Sequence, residues 1–369
     1  MAKRKKKRRA KNQVQYFDYG LLIIVIMLLA FGLVMLYSTS AYNASLRFED
    51  PTHYVKRQVA AMGLGFVAMA FFIKVNYRVW RIFTYPLCIF AFILCVLVIF
   101  AGNAKYGQSR WFSIAGINVQ PSEIAKIAVI LLMAMICQKF YRDFRGRQII
   151  RLFIGLAIYS APIIYNNLST AIIIMGIAFI MVFVASPDVR TFILLALMAV
   201  AGVAAVIAFG QGYRSTRIEV WKHPDLYDEG YQTLQGLYAI GSGGLFGKGL
   251  GESFQKGFVP EAQNDMIFSI ICEELGIFGA ICVIVIYILL LWRLMIIAIN
   301  ARERYGSFLC IGIMAHIALQ VILNIGVVTN TIPNTGITLP FISYGGSALL
   351  ILMSEMGLAL SVSKGIEPK

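Results

Sequence analysis

Ten runs of apolar residues, each near the length that an α-helix needs to cross a bilayer, leave this chain few choices of fold. They lie near residues 19–38, 58–75, 82–101, 122–139, 149–166, 168–186, 191–210, 266–292, 307–328 and 343–363. A spanning helix takes about 20 predominantly apolar residues and satisfies its own backbone in lipid. Only 14% of the residues are charged, against about 25% in a soluble domain, so the chain has too little polar surface to face water. The expected fold is all-α and integral to a membrane, with about ten transmembrane helices. Asn166 and Asn167 nearly join the fifth and sixth runs and predict a tight hairpin.

The formal charge of +15 raises the question of nucleic acid, but its placement answers otherwise. Lys3 to Arg9 form an unbroken basic run just before the first apolar stretch, as in a cytoplasmic anchor against anionic lipid. No aromatic–basic interleaving supports nucleic-acid binding. The stretch that follows is long enough to span and lacks a convincing small-residue cleavage site, so it reads as a helix and not as a cleaved signal. All six cysteines (Cys88, Cys95, Cys137, Cys272, Cys282 and Cys310) lie in apolar segments without CxxC spacing. They read as small buried hydrophobes, with no disulfide framework or zinc site implied.

Short loops set the orientation. With the N-terminus inside, the inner loops carry Lys74, Arg78 and Arg81; Lys139, Arg142, Arg145 and Arg147; Arg190; Arg293, Arg302 and Arg304; and Lys364 and Lys369. The outer loops at 38–57 and 102–121 carry fewer cations, and an even number of spans returns the C-terminus to the cytoplasm. This divides the chain into a basic cytoplasmic tail (1–16), one transmembrane domain (17–363) and a second short cytoplasmic tail (364–369). Between the seventh and eighth spans lies one long extracytoplasmic loop, 211–264. Loops of that length are usually functional or disordered. Its glycines, aromatics and apolar turns, as in GLYAIGSGGLFGKGLG (236–251), predict an ordered loop with short amphipathic helices at the membrane face. No strong internal or inverted repeat is present, which disfavours many transporter architectures.

Ionisable groups among apolar helices are costly unless paired or hydrated, so each is a functional candidate. In QPSEIAK (120–126), Pro121 suits a first helical turn and Ser122 a cap-like position. Glu123 and Lys126 stand three residues apart on one face, either as a structural ion pair or as the charged wall of a cavity open to the outside. Asp265 sits where the long loop meets the eighth span; it is either a helix cap or a carboxylate whose partial burial suits it to act as a base. Glu273 and Glu274 point about 100° apart, which rules out a dyad; they bind a neighbouring helix or face the cavity. His316, Gln320 and Glu355 read as interhelical glue. Arg214, Arg217, Lys222, Lys248 and Lys256 in the long loop, with Lys105 and Arg110 in an earlier one, are either a solvated face or a site for a lipid-linked phosphate. The chain has no HExxH, GxSxG or P-loop motif, so nucleoside-triphosphate chemistry and a nucleotide cofactor are not expected.

Several segments then fall into one pattern: FGLVMLYSTSAY (31–42), QPSEIAK (120–126), LSTAIII (168–174), the YQ…AIGSGGLFGKGLG region (231–251), PE…DMIF…EELG…G (260–279) and NIGVVTNTIPNTGITLPFISYGGS (324–347). In this order, across nearly the whole chain, they resemble the SEDS membrane proteins, the family of RodA, FtsW and SpoVE. The first and last segments resemble the FtsW/SpoVE branch most. The resemblance implies a ten-helix domain in the bacterial cytoplasmic membrane that polymerises lipid II into peptidoglycan strands on the outer face, with a role in cell division. A flippase for the same lipid-linked precursor is the rival reading. The chain departs from the family at Asn167, where Asp is frequent, at Asn264, where Thr is, and at Gly236, where Ser is.

Asp265 matches the family's essential carboxylate, which puts catalysis ahead of capping. The implied reaction is a single inverting displacement: a sugar 4-hydroxyl attacks the anomeric carbon of lipid II and a polyprenyl pyrophosphate leaves. It needs a base at the hydroxyl but no second nucleophilic carboxylate. Positive charge should meet the leaving group, from Arg, Lys or a divalent cation such as Mg or Mn. Arg110, Lys126, Arg214, Lys248 and Lys256 are the candidates, with Glu123 orienting Lys126 or helping to hold a cation. The expected partners are lipid II, a class B penicillin-binding protein transpeptidase and membrane proteins of the division complex.

Overall fold

The computed structural model describes residues 16–105, 108–114, 117–197 and 219–366. Nine helices among them are long and apolar enough to cross a membrane. They are α1 (Tyr19–Phe48), α2 (His53–Lys74), α3 (Trp80–Ala101), α4 (Pro121–Lys139), α5 (Gly146–Asn166) and α6 (Leu168–Ala185). After a short loop helix, α7 (Tyr231–Gly243), come α8 (Ile267–Asn300), α9 (Arg304–Val328) and α10 (Gly346–Ser363). The expected seventh span begins as a helix at 189–197 and otherwise lies outside the described residues, as do most of the basic N-terminal tail and residues 367–369.

The helices alternate in direction, so the bundle has two ends. At one, which holds both described termini, Asp18 caps α1 through Leu21 N–H and pairs with Arg293 of α8 at 2.7 Å. Its own N–H donates to Ser363 of α10. At the other end lie the long loop and the α9–α10 connection. α4, α9 and α10 form the interior, whereas α2, α3, α5 and α8 present much of their apolar surface outward. α10 packs along α2, α8 against α9, and α4 between α3 and α9.

Local chemistry explains the boundaries. Pro121 occupies the first turn of α4, where its missing N–H costs nothing. The cap position is Gln120, and Ser122 lies inside the helix, accepting a hydrogen bond from Gln120 Nε2. Asn167 ends α5 and begins α6, its Oδ1 accepting from Thr170 N–H; this is the predicted hairpin. Cys282 is exposed on α8, unlike the other five cysteines. The loop before α4 holds a three-stranded antiparallel sheet that hydropathy did not signal: β1 (Asn103–Lys105), β2 (Gln108–Ile114) and β3 (Ile117–Val119), with Phe112 opposite Val119.

The largest departure from a simple span is in α8. It is broken at Gly276, where φ is 67° and ψ −168°, a region open essentially to glycine alone. The break frees two carbonyls and two amides. Lys248 and Gly249 N–H donate to the carbonyls of Glu273 and Glu274 at 2.9 and 3.0 Å, and Ile277 and Phe278 N–H donate to Gly244 and Leu245 carbonyls at 3.0 and 3.1 Å. The glycine-rich loop thus completes the broken helix.

Gly276→Ala should lower the unfolding midpoint of the purified protein sharply. Its Cβ would stand 2.4 Å from both Gly247 N and Leu245 O, and the backbone conformation alone costs ~1–3 kcal/mol. Gly155→Ala, in α5 with nothing within 4 Å of the added carbon, should leave the midpoint unchanged or higher.

Candidate functional site

Asp265 lies in the run of turns at 260–266 that leads into α8 and is 8% exposed. It is not the helix cap: Met266 holds that position, without a side-chain cap bond. The carboxylate is instead an acceptor, its Oδ1 3.3 Å from Gln232 Nε2 on α7. Gln232 is oriented by two further bonds. Its Nε2 also donates to the Pro260 carbonyl at 3.1 Å, and its Oε1 accepts from Asn334 Nδ2 at 3.0 Å.

From the opposite side, Asn324 of α9 donates through one Nδ2 to the carbonyls of Asp265 (2.8 Å) and Ile337 (2.7 Å). Ser343 donates to the Asn264 carbonyl at 2.6 Å, and Tyr344 N–H to the Gln263 carbonyl at 2.9 Å. Gly336, at φ 67°, lies against Asp265 Oδ2, so that a Cβ there would be 3.9 Å away. The α9–α10 connection, the long loop and the start of α8 therefore converge on one carboxylate.

Burial in this setting pushes the Asp265 carboxyl up to about 7. The nearby charge of Glu261 raises it further, while the Gln232 hydrogen bond acts in the opposite sense. A carboxylate poised near neutral pH can accept a proton and return it to water.

Glu123 and Lys126 form the predicted ion pair at 2.9 Å, both buried on α4. They lie deeper than Asp265. Ile130 of α4 meets Gly312 of α9, and the two helices run in opposite directions, so Lys126 lies near the level of His316. Asn324, which holds the Asp265 backbone, is eight residues further along α9, about 12 Å. Beside Glu123, Gln120, Ser122, Asn166 and Asn167 help to line a cavity of about 20 Å³.

Lys248 pairs with Glu273 at 2.7 Å, and Lys256 lies 3.9 Å from Glu274. Glu274 also accepts from Ser38 of α1 at 2.5 Å, so it does bind a neighbouring helix, whereas Glu273 binds the loop. Lys256 stands at the rim of a groove of about 540 Å³ between α1 and the loop, walled by Leu33, Val34, Tyr37 and Leu250. Arg110 falls on β2, where only the backbone is described, and Arg214 and Arg217 lie outside the described residues. His316 Nδ1 meets Glu355 at 2.9 Å across α9 and α10, as glue should. Among the described residues no three His, Cys, Asp or Glu side chains gather to hold a metal ion.

Sequence reasoning missed Gln232 and Asn324. Asn324 was within reach of a pattern already in view, since His316, Gln320 and Asn324 repeat every four residues along one face of α9. Gln232 carried no comparable signal beyond its place in the matched YQ pair.

These features define a polytopic membrane protein with a buried carboxylate, raised toward neutral pH, at the loop end of its helical bundle. The sequence model of the FtsW/RodA/SpoVE family, described as "Cell cycle protein", matches residues 19–367. Stage V sporulation protein E of Bacillus subtilis (strain 168) is 40% identical over 355 residues, covering 94% of this chain and 97% of the relative. A probable peptidoglycan glycosyltransferase FtsW of Geobacter sp. (strain M18) is 36% identical over 363 residues, covering 95% and 98%. Among solved structures, one described under "Structural coordination of polymerization and crosslinking by a peptidoglycan synthase complex" aligns with a TM-score of 0.78 at 26% identity, covering 94% of this chain and 97% of that one. RodA of Thermus thermophilus aligns at 0.67 and 26%, covering 96% and 98%. The chain belongs to the FtsW/RodA/SpoVE family.

The raised Asp265 carboxyl has a consequence for stability. Its folded value of about 7 exceeds the ordinary 3.8, so between those values the folded protein holds a proton that the unfolded chain releases. Stability therefore falls as pH climbs through that window. Asp265→Asn removes this loss: thermal melts in detergent should show a higher midpoint than wild type at pH 8, with the difference closing near pH 4.

Proposed function

We propose that this protein is a peptidoglycan glycosyltransferase that polymerises lipid II on the outer face of the bacterial cytoplasmic membrane, with Asp265 as its base. One observation carries the reading. A buried carboxylate, held near neutral pKa and aimed by an amide, stands at the loop end of a bundle whose relatives include proteins named for this activity. Both described termini share the opposite end of the bundle. The cation-rich short loops support a cytoplasmic place for that end; on this reading Asp265 lies outside, where a sugar acceptor would be found.

In the proposed step, Asp265 takes the proton of the acceptor's 4-hydroxyl as that oxygen bonds to the anomeric carbon of the donor. The bond from that carbon to the pyrophosphate oxygen breaks, its electron pair leaves with the polyprenyl pyrophosphate, and the configuration inverts. No covalent glycosyl–enzyme is formed, so one carboxylate suffices. Cationic side chains receive the departing charge. Lys126, deep and paired with Glu123, and Arg110 and Arg214 are assigned to that role. Lys248 and Lys256 are engaged with buried glutamates and are assigned to holding the loop. Among the described residues no three His, Cys, Asp or Glu side chains gather, and no step is routed through a divalent cation. The proposed partner is a class B penicillin-binding protein that crosslinks the product, within the membrane proteins of the division complex.

Purified protein supplied with lipid II should make glycan polymer, and Asp265→Asn should lower that rate by about 10²–10⁴-fold while remaining monodisperse. A variant polymerising at the wild-type rate would end the proposal. Because the base must be ionised, kcat/KM should fall tenfold per unit as pH drops below about 7, following the folded carboxyl value.

A further inference from the structure

We infer that Glu273 is a positioning residue for Asp265: its buried carboxylate clamps one end of loop helix α7 so that the other end holds Gln232 against the base. The inference rests on the catalytic reading of Asp265 and adds a residue that touches neither substrate nor base.

Glu273 is fully buried, yet it faces a loop and not another span. Its Oε1 accepts from Lys248 Nζ at 2.7 Å, from Phe254 N–H at 3.2 Å and from Ser242 Oγ at 3.3 Å. Its Oε2 accepts from Ser253 Oγ and from Gln255 N–H at 3.2 Å. One carboxylate thus gathers three separate stretches of the loop: the last turn of α7, the glycine-rich turn and the segment that leads back to Asp265. A buried carboxylate with several charge-assisted and backbone donors is a strong anchor, and a poor one if a single partner is lost.

α7 transmits the anchor as a short strut. It lies alongside the first turns of α8 and runs in the same direction, because two of its glycines admit close contact. A Cβ on Gly236 would meet Met266 Cε at 2.6 Å, and one on Gly243 would meet the Cys272 carbonyl at 2.0 Å. Near the C-terminal end of α7, Ser242 Oγ lies 3.3 Å from Glu273 Oε1 and shares its one proton between that oxygen and the Ala239 carbonyl at 3.1 Å, while the N-terminal end carries Gln232 to Asp265 Oδ1. Releasing the far end lets α7 slide or tilt on α8 and moves Gln232 relative to the carboxylate. A displacement near 1 Å at a reacting group can cost about 100-fold in rate.

The test is a polymerisation assay on purified full-length protein with lipid II, read as kcat, KM and pH profile, with Asp265→Asn as the reference. Glu273→Gln should lower kcat by about 10–100-fold and change KM less than about threefold, because the residue does not touch substrate. Its acid limb should move upward, since Asp265 loses the Gln232 donor while Glu261 stays nearby. Lys248→Met should match that loss, Lys248→Arg should retain most activity, and the double variant should be no worse than either single one. Should Glu273→Gln fail to fold, Ser242→Ala removes one clamp bond and should still show the limb shift with a smaller loss. Wild-type kcat and limb in a folded Glu273→Gln protein would overturn the clamp, as would a collapse in KM with kcat intact. An active Asp265→Asn protein would instead overturn the catalytic reading beneath it.

Discussion

Backbone groups at the edge of a bilayer must find partners, and the break in α8 at Gly276 leaves four without any from their own helix. The glycine-rich loop supplies all four, and its glycines are what let two backbones lie close enough to do so. Much of the loop end follows from that docking. It fixes the turn at 244–249, brings Lys248 over Glu273, seats α7 along the first turns of α8, and carries Gln232 to Asp265. A long extramembrane loop, which would otherwise be the most mobile part of such a protein, is instead built into the helix it precedes.

The interior keeps its charges in local pairs. Glu123 with Lys126, Glu273 with Lys248, and Glu355 with His316 each place an acid beside a base within 2.9 Å. Removing one member of such a pair would strand the other in an apolar setting. Asp265 is the exception. Its nearest partners are amides and carbonyl-rich turns, and the neighbouring charge, Glu261, has the same sign. The Asp265 carboxyl is raised to about 7. The contrast separates the paired carboxylates from Asp265, whose raised carboxyl value costs the fold stability as pH rises.

Hydropathy alone located every span that falls within the described residues, because a lipid solvent demands long unbroken apolar runs. It also foresaw the Asn166–Asn167 hairpin and the Glu123–Lys126 pair, both products of short-range spacing. The misses have a common cause. The three-stranded sheet before α4 is made of strands too short for hydropathy to mark, and the docking at Gly276 and the Gln232–Asp265 bond join segments about thirty residues apart, which periodicity cannot connect. Helix edges moved for a local reason: α1 continues to Phe48 and α8 to Asn300 through polar or aromatic residues that a hydropathy window discounts. At Asp265, capping and burial competed for one carboxyl, and the turn at 260–266 decided between them by leaving Met266 at the helix start.

The two contacts that tie α1 to α8 also act as a ruler. Asp18 meets Arg293 at one end and Ser38 meets Glu274 at the other. The paired positions are twenty residues apart on α1, a rise of about 30 Å, which matches the hydrocarbon core of a typical bilayer; on α8 they are nineteen apart, across the break at Gly276. A thicker or thinner membrane would strain these staples through hydrophobic mismatch, and the outer one sits on the residue next to Glu273. Lipid chain length thereby becomes a mechanical input to the loop that Glu273 gathers.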